Sequence, residues 1–164
     1  MGYFIRSKKG FTLVEIMIVV AIIALLAAIA IPGLLRARHN ANETTAIGAL
    51  RTLSTAEESF RASGVNATGT AMSLTGPTYS GNLMVLSTMQ PPYAPASLTN
   101  AQSAAAARQG YFYVYVFVNA NQYTLEARPA AVRTTGSRFF FVDETGILRH
   151  NLLAPATARS AEIQ

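Results

Sequence analysis

Residues 11–35 read FTLVEIMIVVAIIALLAAIAIPGLL, a run that is apolar except for Thr12 and one charge, Glu15. A helix that crosses the hydrocarbon core of a bilayer needs about 20 mostly apolar residues, because each residue rises about 1.5 Å and the core is about 30 Å thick. The run is therefore long enough to span a membrane. A carboxylate at the centre of such a helix costs about 2.5 to 3.5 kcal/mol. The cost is lower near an end, where Glu15 lies.

The residues before the apolar run are basic, with Arg6, Lys8 and Lys9 followed by Gly10. An ordinary secretory signal peptide also has a basic leader, but its apolar region is about 7 to 15 residues long and its small-residue cleavage site comes afterwards. Here the apolar run is longer and the small residue precedes it. Gly10 has no side chain and a permissive backbone, which suits entry of the chain into a narrow protease cleft. The pattern therefore fits an ordinary signal peptide poorly.

The junction Gly10-Phe11-Thr12-Leu13-Val14-Glu15, together with the apolar residues after it and Pro32, resembles a known family. It is similar to the leader junction of type IV pilins and of the pseudopilins of type II secretion. The resemblance implies that a prepilin peptidase cuts between Gly10 and Phe11. It also implies that the same enzyme then methylates the new amine of Phe11.

Cleavage at this point would give Glu15 a partner for its charge. The new amine of Phe11 is four residues from Glu15, about one helical turn, and a carboxylate in lipid gains most from a nearby opposite charge. The resemblance implies a second option, in which Glu15 pairs with the amine of a neighbouring subunit and sets the register of assembly. The alternative to both is a carboxylate that snorkels to the interface without a partner.

A second special position in the run is Pro32-Gly33, which joins a residue that removes a helical hydrogen bond to a poor helix former. We expect a helix break or weak point there. It can be a simple bend in a transmembrane helix. Resemblance to pilins implies more, because their corresponding stretch can lose helical structure when subunits pack into a filament.

Length and composition limit what the remaining residues can form. The chain has 164 residues, enough for one small domain beside a membrane helix. The formal charge is +5, but three of the positive charges belong to the leader, and the processed chain would carry about +2 and no lysine. General nucleic-acid binding therefore has weak support. The absence of cysteine excludes a disulfide, a thiolate metal site and a cysteine nucleophile, and departs from the many pilins that close a C-terminal loop with a disulfide.

The periodicity of the remaining sequence predicts an α+β fold. A helix from Phe11 to about Ala62 is expected to present one apolar stripe in its second half and to end at Ser63-Gly64. The predicted stripe is Ile47, Leu50, Leu53, Ala56 and Phe60, and the polar faces hold Arg51, Thr52, Glu57, Glu58 and Arg61.

The segment 64–110 is expected to be mostly loop, with local order near 83–89 and 101–108.

The predicted sheet begins at residue 111 and is antiparallel, with three to four strands. A hairpin at Asn119-Ala120-Asn121 joins the first two strands, the third is 138–142, and a turn at 143–146 leads to 147–150. We expect the valine face of the first strand to pack on the helix and its tyrosines to face outward. Tyrosines on that outer face could then mark a subunit contact or be ordinary half-exposed side chains.

Candidate metal and catalytic groups are few. Asp143 and Glu144 are weak calcium candidates, but two adjacent acids in a turn are more often only a turn, and the nearby sequence lacks the spacing of a calcium loop. We expect His39 and His150 to be solvated surface side chains. The sequence has no HExxH, GxSxG, phosphate-loop or dinucleotide motif, so catalysis has no positive support and we expect no cofactor.

The predicted function is therefore assembly rather than chemistry. The resemblance implies a leader at 1–10, a transmembrane and filament-core helix at 11–35 and a periplasmic or extracellular head at 36–164. We expect a structural subunit of a type IV pilus, held as a single-pass precursor in the lipid of the bacterial inner membrane. Implied partners are other copies in a homo-oligomeric filament, a prepilin peptidase, an inner-membrane platform protein and a cytoplasmic ATPase. The alternatives are a pseudopilin, which would act in a periplasmic pseudopilus, and, more distantly, a membrane-anchored enzyme.

Overall fold

The first element of the described fold is one long helix, α1 (Leu13–Ala62). The computed structural model describes residues 10–69, 76–152 and 154–163. The helical elements after α1 are α2 (Leu83–Thr88), α3 (Ala96–Thr99) and a 3-10 helix (Ala104–Ala106). The strands are β1 (Tyr111–Asn119), β2 (Gln122–Pro129), β3 (Phe139–Asp143), β4 (Arg149–Asn151) and β5 (Ala161–Glu162). The chain divides into two compact units, Met1–Ala37 and Arg38–Gln164.

The first unit consists, in its described part, of the start of α1. Its large apolar side chains are all at least half exposed, from 50% for Val19 to 86% for Phe11. The helix is continuous through Pro32 and Gly33. A weak point that acts only when subunits pack together would not be visible in a single chain. The break at these two residues therefore stays a prediction.

The second unit contains a five-stranded antiparallel sheet in the order β1-β2-β3-β4-β5. This meander confirms the predicted α+β arrangement, with five strands rather than three to four. The additional strand, β5, is only two residues long. It is held beside β4 by an ion pair of 3.0 Å between Arg149 and Glu162 and by a hydrogen bond of 2.8 Å from the Ile163 N–H to the Leu148 carbonyl.

The core of the second unit lies between one face of α1 and the sheet. Leu50, Leu53, Ala56 and Phe60 of the predicted stripe are buried, and Ile47 is half-buried. The buried positions 43, 46, 50, 53, 57 and 60 follow a spacing of three and four residues, which is the period of one helix face. The prediction for Glu57 is therefore wrong: its position in this series places it in the core rather than on a polar face.

The face of β1 that packs into the core is also the opposite of the predicted one. Tyr111 and Tyr113 are buried, whereas Val116 and Val118 are 49% and 53% exposed. The alternation of the strand is as predicted, but the tyrosines point inward. Small helix residues such as Ala46 and Ala49 leave room for the rings. Tyr111 and Tyr113 are therefore not exposed for the outward contact with another subunit that the sequence left open.

The hydroxyl groups of three inward tyrosines have partners. Tyr111 donates to the Arg138 carbonyl at 2.8 Å and Tyr115 to the Ser80 carbonyl at 2.7 Å, while the Tyr123 hydroxyl lies 2.9 Å from the hydroxyl of Ser54. Buried tyrosines are stable in a core when the hydroxyl finds such a partner. The inward orientation therefore leaves none of these three polar atoms unsatisfied.

Local signals explain the bounds of the helices. Gly64 has a φ of +69°, the left-handed conformation that ends helices, and it follows α1 at the predicted stop. The Asn82 side chain accepts a hydrogen bond from the Val85 N–H at 3.3 Å and caps α2. Helix α2 confirms the local order predicted near 83–89, and the 3-10 helix Ala104–Ala106 lies within the predicted 101–108.

Candidate functional site

The junction predicted for cleavage lies directly before α1. Gly10, Phe11 and Thr12 are exposed and outside the helix, which begins at Leu13. Apart from its chain neighbours, no atom of the described residues lies within 4 Å of the position that a Cβ on Gly10 would take. The Gly10–Phe11 peptide is therefore open to a large partner from this side. The basic leader residues Arg6, Lys8 and Lys9 lie outside the described residues.

Thr12 and Glu15 form a reciprocal cap at the first turn of α1. The N–H and the hydroxyl of Thr12 both donate to Glu15 Oε2 at 2.8 Å, and the Glu15 N–H donates to Thr12 Oγ1 at 3.2 Å. This is a capping box, which satisfies backbone donors at a helix start. Thr12 has no role in the sequence predictions, although its Thr-x-x-Glu spacing with Glu15 is the signature of this motif.

The cap fixes where the Glu15 carboxylate lies relative to the predicted new terminus. Oε2 contacts the N–H of Thr12, which is the residue next to Phe11. Oε1 has no hydrogen-bond partner among the described residues. The carboxylate is thus held at the start of the helix with one oxygen still available to a further donor.

Helix α1 meets the length and composition requirements for a membrane span. Within the described part of the chain, it is the one helix that does so. Its first half exposes a continuous apolar surface, which is costly in water and favourable in lipid or against other apolar helices. This apolar surface is suited to burial against lipid or against apolar helices of other molecules.

Glu43 is the first of two buried acids on the second half of α1. It accepts hydrogen bonds from the Ser137 N–H at 3.0 Å and from Arg138 Nε at 2.6 Å, and is only 3% exposed. Burial acts to raise the pKa of Glu43, but the hydrogen bonds from Ser137 and Arg138 and the charge of Arg138 outweigh it and hold that pKa below its ordinary value. Glu43 therefore stays ionised and attaches the segment before β3 to the helix.

Glu57 is the second buried acid, and it forms no ion pair within the described part of the chain. Its carboxylate accepts a hydrogen bond from the Ser80 N–H at 2.9 Å and another from the Ser80 hydroxyl, and it is fully buried. Burial raises the pKa of Glu57 to about 7, although the hydrogen bonds from Ser80 act to lower it. Glu57 attaches the segment before α2 to the helix.

The weak metal candidates are part of a turn. Asp143 Oδ1 accepts hydrogen bonds from the Thr145 N–H at 3.0 Å and from the Thr145 hydroxyl, and the Gly146 N–H donates to the Asp143 carbonyl at 2.9 Å. Glu144 lies 3.5 Å from the side-chain amide of Gln122. Among the described residues, no group of three or more His, Asp or Glu side chains could hold a metal ion. The turn explains both acids without a cation.

The two histidines are not the solvated side chains predicted for them. His39 is half-buried, and its Nε2 donates to the Thr134 carbonyl at 2.7 Å. His150 is also half-buried, and its buried Nδ1 has no hydrogen-bond partner among the residues that the structure describes. His39 therefore has a structural contact with the loop between β2 and β3, which sequence periodicity could not reveal because the two are 95 positions apart.

Comparison with known proteins identifies the N-terminal segment. The prokaryotic N-terminal methylation motif matches residues 5–31, which include Gly10, Phe11 and Glu15. The chain is 64% identical over 39 residues to the type IV wide pilus major component PilA4 of Thermus thermophilus. It is 50% identical over 53 residues to the type IV major pilin protein PilA of Myxococcus xanthus, and 50% identical over 54 residues to a fimbrial protein of Pseudomonas aeruginosa.

These likenesses cover a minor part of each protein. The three matches include 24%, 32% and 33% of this chain, and 30%, 24% and 35% of the respective relatives. No solved structure matches the chain significantly. The chain thus carries the methylation motif and resembles type IV pilins over part of its length, as the sequence prediction stated.

Proposed function

We propose that this protein is a structural subunit of a type IV pilus. The observation that carries the proposal is the methylation motif at residues 5–31, because it coincides with an exposed Gly10–Phe11 junction at the start of an exposed apolar helix. The relatives named as pilin, fimbrial protein or pilus component support the same conclusion. No catalytic step is part of this function.

Maturation begins with cleavage between Gly10 and Phe11 by a prepilin peptidase. Hydrolysis of this peptide bond leaves a carboxylate on Gly10 and an amine on Phe11. The enzyme then transfers a methyl group from a separate methyl donor to that amine, which loses a proton as the N–C bond forms and the bond to the donor breaks. The open space around Gly10 supports the proposal, because a narrow cleft can approach the backbone there without meeting a side chain. The three domains are then the leader 1–10, the filament-core helix 11–35 and the head 36–164.

Glu15 fixes the register of the subunits during assembly. The capping contact with Thr12 keeps its carboxylate at the start of the helix, and Oε1 is available to the charged amine of Phe11 in the same or a neighbouring subunit. An ion pair surrounded by apolar helices is strongly favoured over an unpaired carboxylate there. A subunit out of register would leave the charge uncompensated.

Assembly replaces lipid around residues 11–35 with the same surface of other subunits. The precursor waits in the bacterial inner membrane with its leader in the cytoplasm, and the head ends on the outside of an extracellular filament. Pro32 and Gly33 supply the weak point that lets the helix adjust during packing. A platform protein in the inner membrane and a cytoplasmic ATPase provide the motive force.

The test is the mass of the N-terminal peptide in material sheared from intact cells, compared with the membrane fraction. We expect sheared protein that begins at methylated Phe11. Gly10→Val should keep the leader, because the added side chain obstructs the cleft. Glu15→Ala should be processed and remain in the membrane with little sheared protein, whereas Glu144→Ala, a control acid on an exposed turn, should shear as the wild type does.

Three results would count against the proposal in different ways. An intact Met1 leader with nothing sheared would leave a single-pass membrane protein and remove the filament. Normal shedding of Glu15→Ala would retain the filament but remove the register role of Glu15. Loss of exoprotein release on deletion, without loss of surface fibres, would favour the pseudopilin instead.

A further inference from the structure

Residues 130–136, in the loop between β2 and β3, are attached to α1 near the start of the second unit. The Thr134 carbonyl accepts a hydrogen bond from His39 Nε2 at 2.7 Å, and the Thr135 carbonyl accepts one from Asn42 Nδ2 at 2.8 Å. Gly136 packs so closely against the Tyr111 ring that a Cβ there would collide with it. The loop is therefore fixed at both the helix and the sheet.

The loop is also closed by its own hydrogen bonds. The Arg133 N–H donates to the Gly136 carbonyl at 2.8 Å, and the Thr135 N–H donates to the Ala131 carbonyl at 2.9 Å. Arg133 has a φ of +66°, a conformation that an arginine rarely adopts and that turns the chain sharply at the tip. What the tip exposes is an apolar side chain beside a cation: Val132 is 51% exposed and Arg133 is exposed.

The distance of this tip from the bilayer follows from the length of chain between them. His39 is four residues after Leu35, the last residue of the apolar run, so the two are no more than about 14 Å apart in any conformation. The headgroup zone of a bilayer is about 5 to 8 Å thick on each side. The length of chain therefore keeps His39, and the carbonyl that it holds, near the surface of the bilayer whenever residues 11–35 span the membrane.

The charge at this level is positive. Arg38 is exposed and adjoins His39, and Arg36 precedes it in the sequence. The acid in this part of α1 is Glu43, which is buried and paired with Arg138 at 2.6 Å, so it does not neutralise these cations. Arginine beside an anionic surface binds phosphate oxygens through two parallel N–H groups, and its guanidinium is weakly hydrated.

We propose that the tip of this loop, Val132 and Arg133, together with Arg38, binds the headgroups of anionic phospholipids while the subunit waits in the membrane. Arg38 and Arg133 contact the phosphodiester groups, and Val132 enters the boundary between headgroups and acyl chains. The inference rests on the proposed function, because it needs residues 11–35 to lie in a bilayer. It adds a contact between the head and the lipid, which extraction of the subunit into a filament must break.

The absence of native cysteine makes a site-specific test direct. The full chain carrying Val132→Cys is labelled with a nitroxide and reconstituted in phosphatidylcholine vesicles with and without phosphatidylglycerol. Collision with oxygen, which concentrates in lipid, is compared with collision with a water-soluble paramagnetic complex. Met84→Cys, at a 52% exposed position on α2, is the matched aqueous control, and Ile23→Cys reports whether the apolar run is in lipid.

We expect the label at 132 to become lipid-accessible when phosphatidylglycerol is present, and the label at 84 to stay aqueous. Adding Arg133→Gln or Arg38→Gln should lower the lipid-accessible fraction relative to the aqueous one about fivefold for each cation removed. High salt should have the same effect, because it screens exposed charges. The phosphatidylcholine vesicles should give little difference between these variants.

A label at 132 that is as aqueous as the one at 84 in both lipids, with the label at 23 in lipid, would overturn the inference and leave the membrane anchor intact. A label at 23 that is aqueous would overturn the anchor and the inference together. Protection of position 132 that arises only in assembled filaments, and is equal in both lipids, would assign the tip to another copy of the chain and likewise overturn it.

Discussion

The fully buried carboxyl of Glu57 should make the stability of the head fall as pH rises. The pKa of Glu57 is raised by burial from 4.5 to about 7 in the folded protein. Below about pH 4.5 the carboxyl is protonated in both the folded and the unfolded state. Between the two pKa values the unfolded chain is ionised while the folded protein still holds its proton, so the free energy of unfolding decreases with increasing pH.

The magnitude follows from the difference between the two pKa values. At about 1.4 kcal/mol per pKa unit, a rise from 4.5 to about 7 corresponds to about 3 kcal/mol. This stabilisation is complete below about pH 4.5 and is lost by the time the pH passes about 7, after which no further change is expected from this group. Glu57→Gln removes the titration and keeps an oxygen that can accept a hydrogen bond from the Ser80 N–H.

The assay is urea unfolding of the full chain in detergent at a series of pH values from 4 to 8. The chain has no tryptophan, so near-ultraviolet circular dichroism of the buried tyrosines reports the loss of the core. Other groups also titrate in this range, and the quantity to compare is therefore the difference between Glu57→Gln and wild type at each pH. That difference should increase by about 3 kcal/mol in favour of the variant.

Glu144→Gln, which removes a half-buried carboxylate from a turn, is the matched control and should follow the wild-type curve. The reasoning would be refuted if the difference in the free energy of unfolding between Glu57→Gln and wild type stayed constant with pH to within about 0.5 kcal/mol. A variation that small is the size of an ordinary surface effect. A difference that decreases as pH rises would mean that the pKa of Glu57 is lowered rather than raised in the folded protein. The hydrogen bonds from Ser80 would then outweigh burial.

Two further predictions concern the packing of the head. Glu43→Ala should lower the free energy of unfolding by about 3 kcal/mol, since it leaves buried N–H groups and Arg138 without their acceptor, and Glu43→Gln should lower it by less. Tyr113→Ala should cost about 3 kcal/mol by emptying a fully buried site, whereas Val116→Ser on the exposed face should change stability by less than about 0.5 kcal/mol. A larger loss for Val116→Ser than for Tyr113→Ala would restore the predicted outward orientation of the tyrosines.

Much of the fold is predictable from local sequence because its signals are strong. The continuous helix, the stop at Gly64 and the turn at Asn119-Ala120-Asn121 each depend on residues within a few positions of one another. Strand β5 has no such signal, because two residues cannot display alternation. Its pairing depends on an ion pair and a hydrogen bond to residues near β4, so only the folded chain reveals it.

The sequence of β2, rather than that of β1, predicts the inward orientation of the tyrosines. Both faces of β1 are apolar, so alternation alone cannot decide between them. In β2, Tyr123, Leu125 and Ala127 alternate with Thr124, Glu126 and Arg128, which assigns one face to the core and the other to solvent. The hairpin places Tyr113 opposite Ala127 and Tyr115 opposite Leu125. Cross-strand partners share a face, so the tyrosines of β1 must point inward with them.

The three acids on the apolar faces of α1 share one physical role and differ in one respect. Glu15, Glu43 and Glu57 each accept a hydrogen bond from a backbone N–H outside regular helix or sheet pairing, which supplies acceptors that such groups need. Glu43 and Glu57 use both carboxylate oxygens within the chain. Glu15 uses only Oε2 and is exposed. Its unused oxygen and its position on an apolar surface therefore support the proposal that Glu15 meets a further donor in the mature, assembled state.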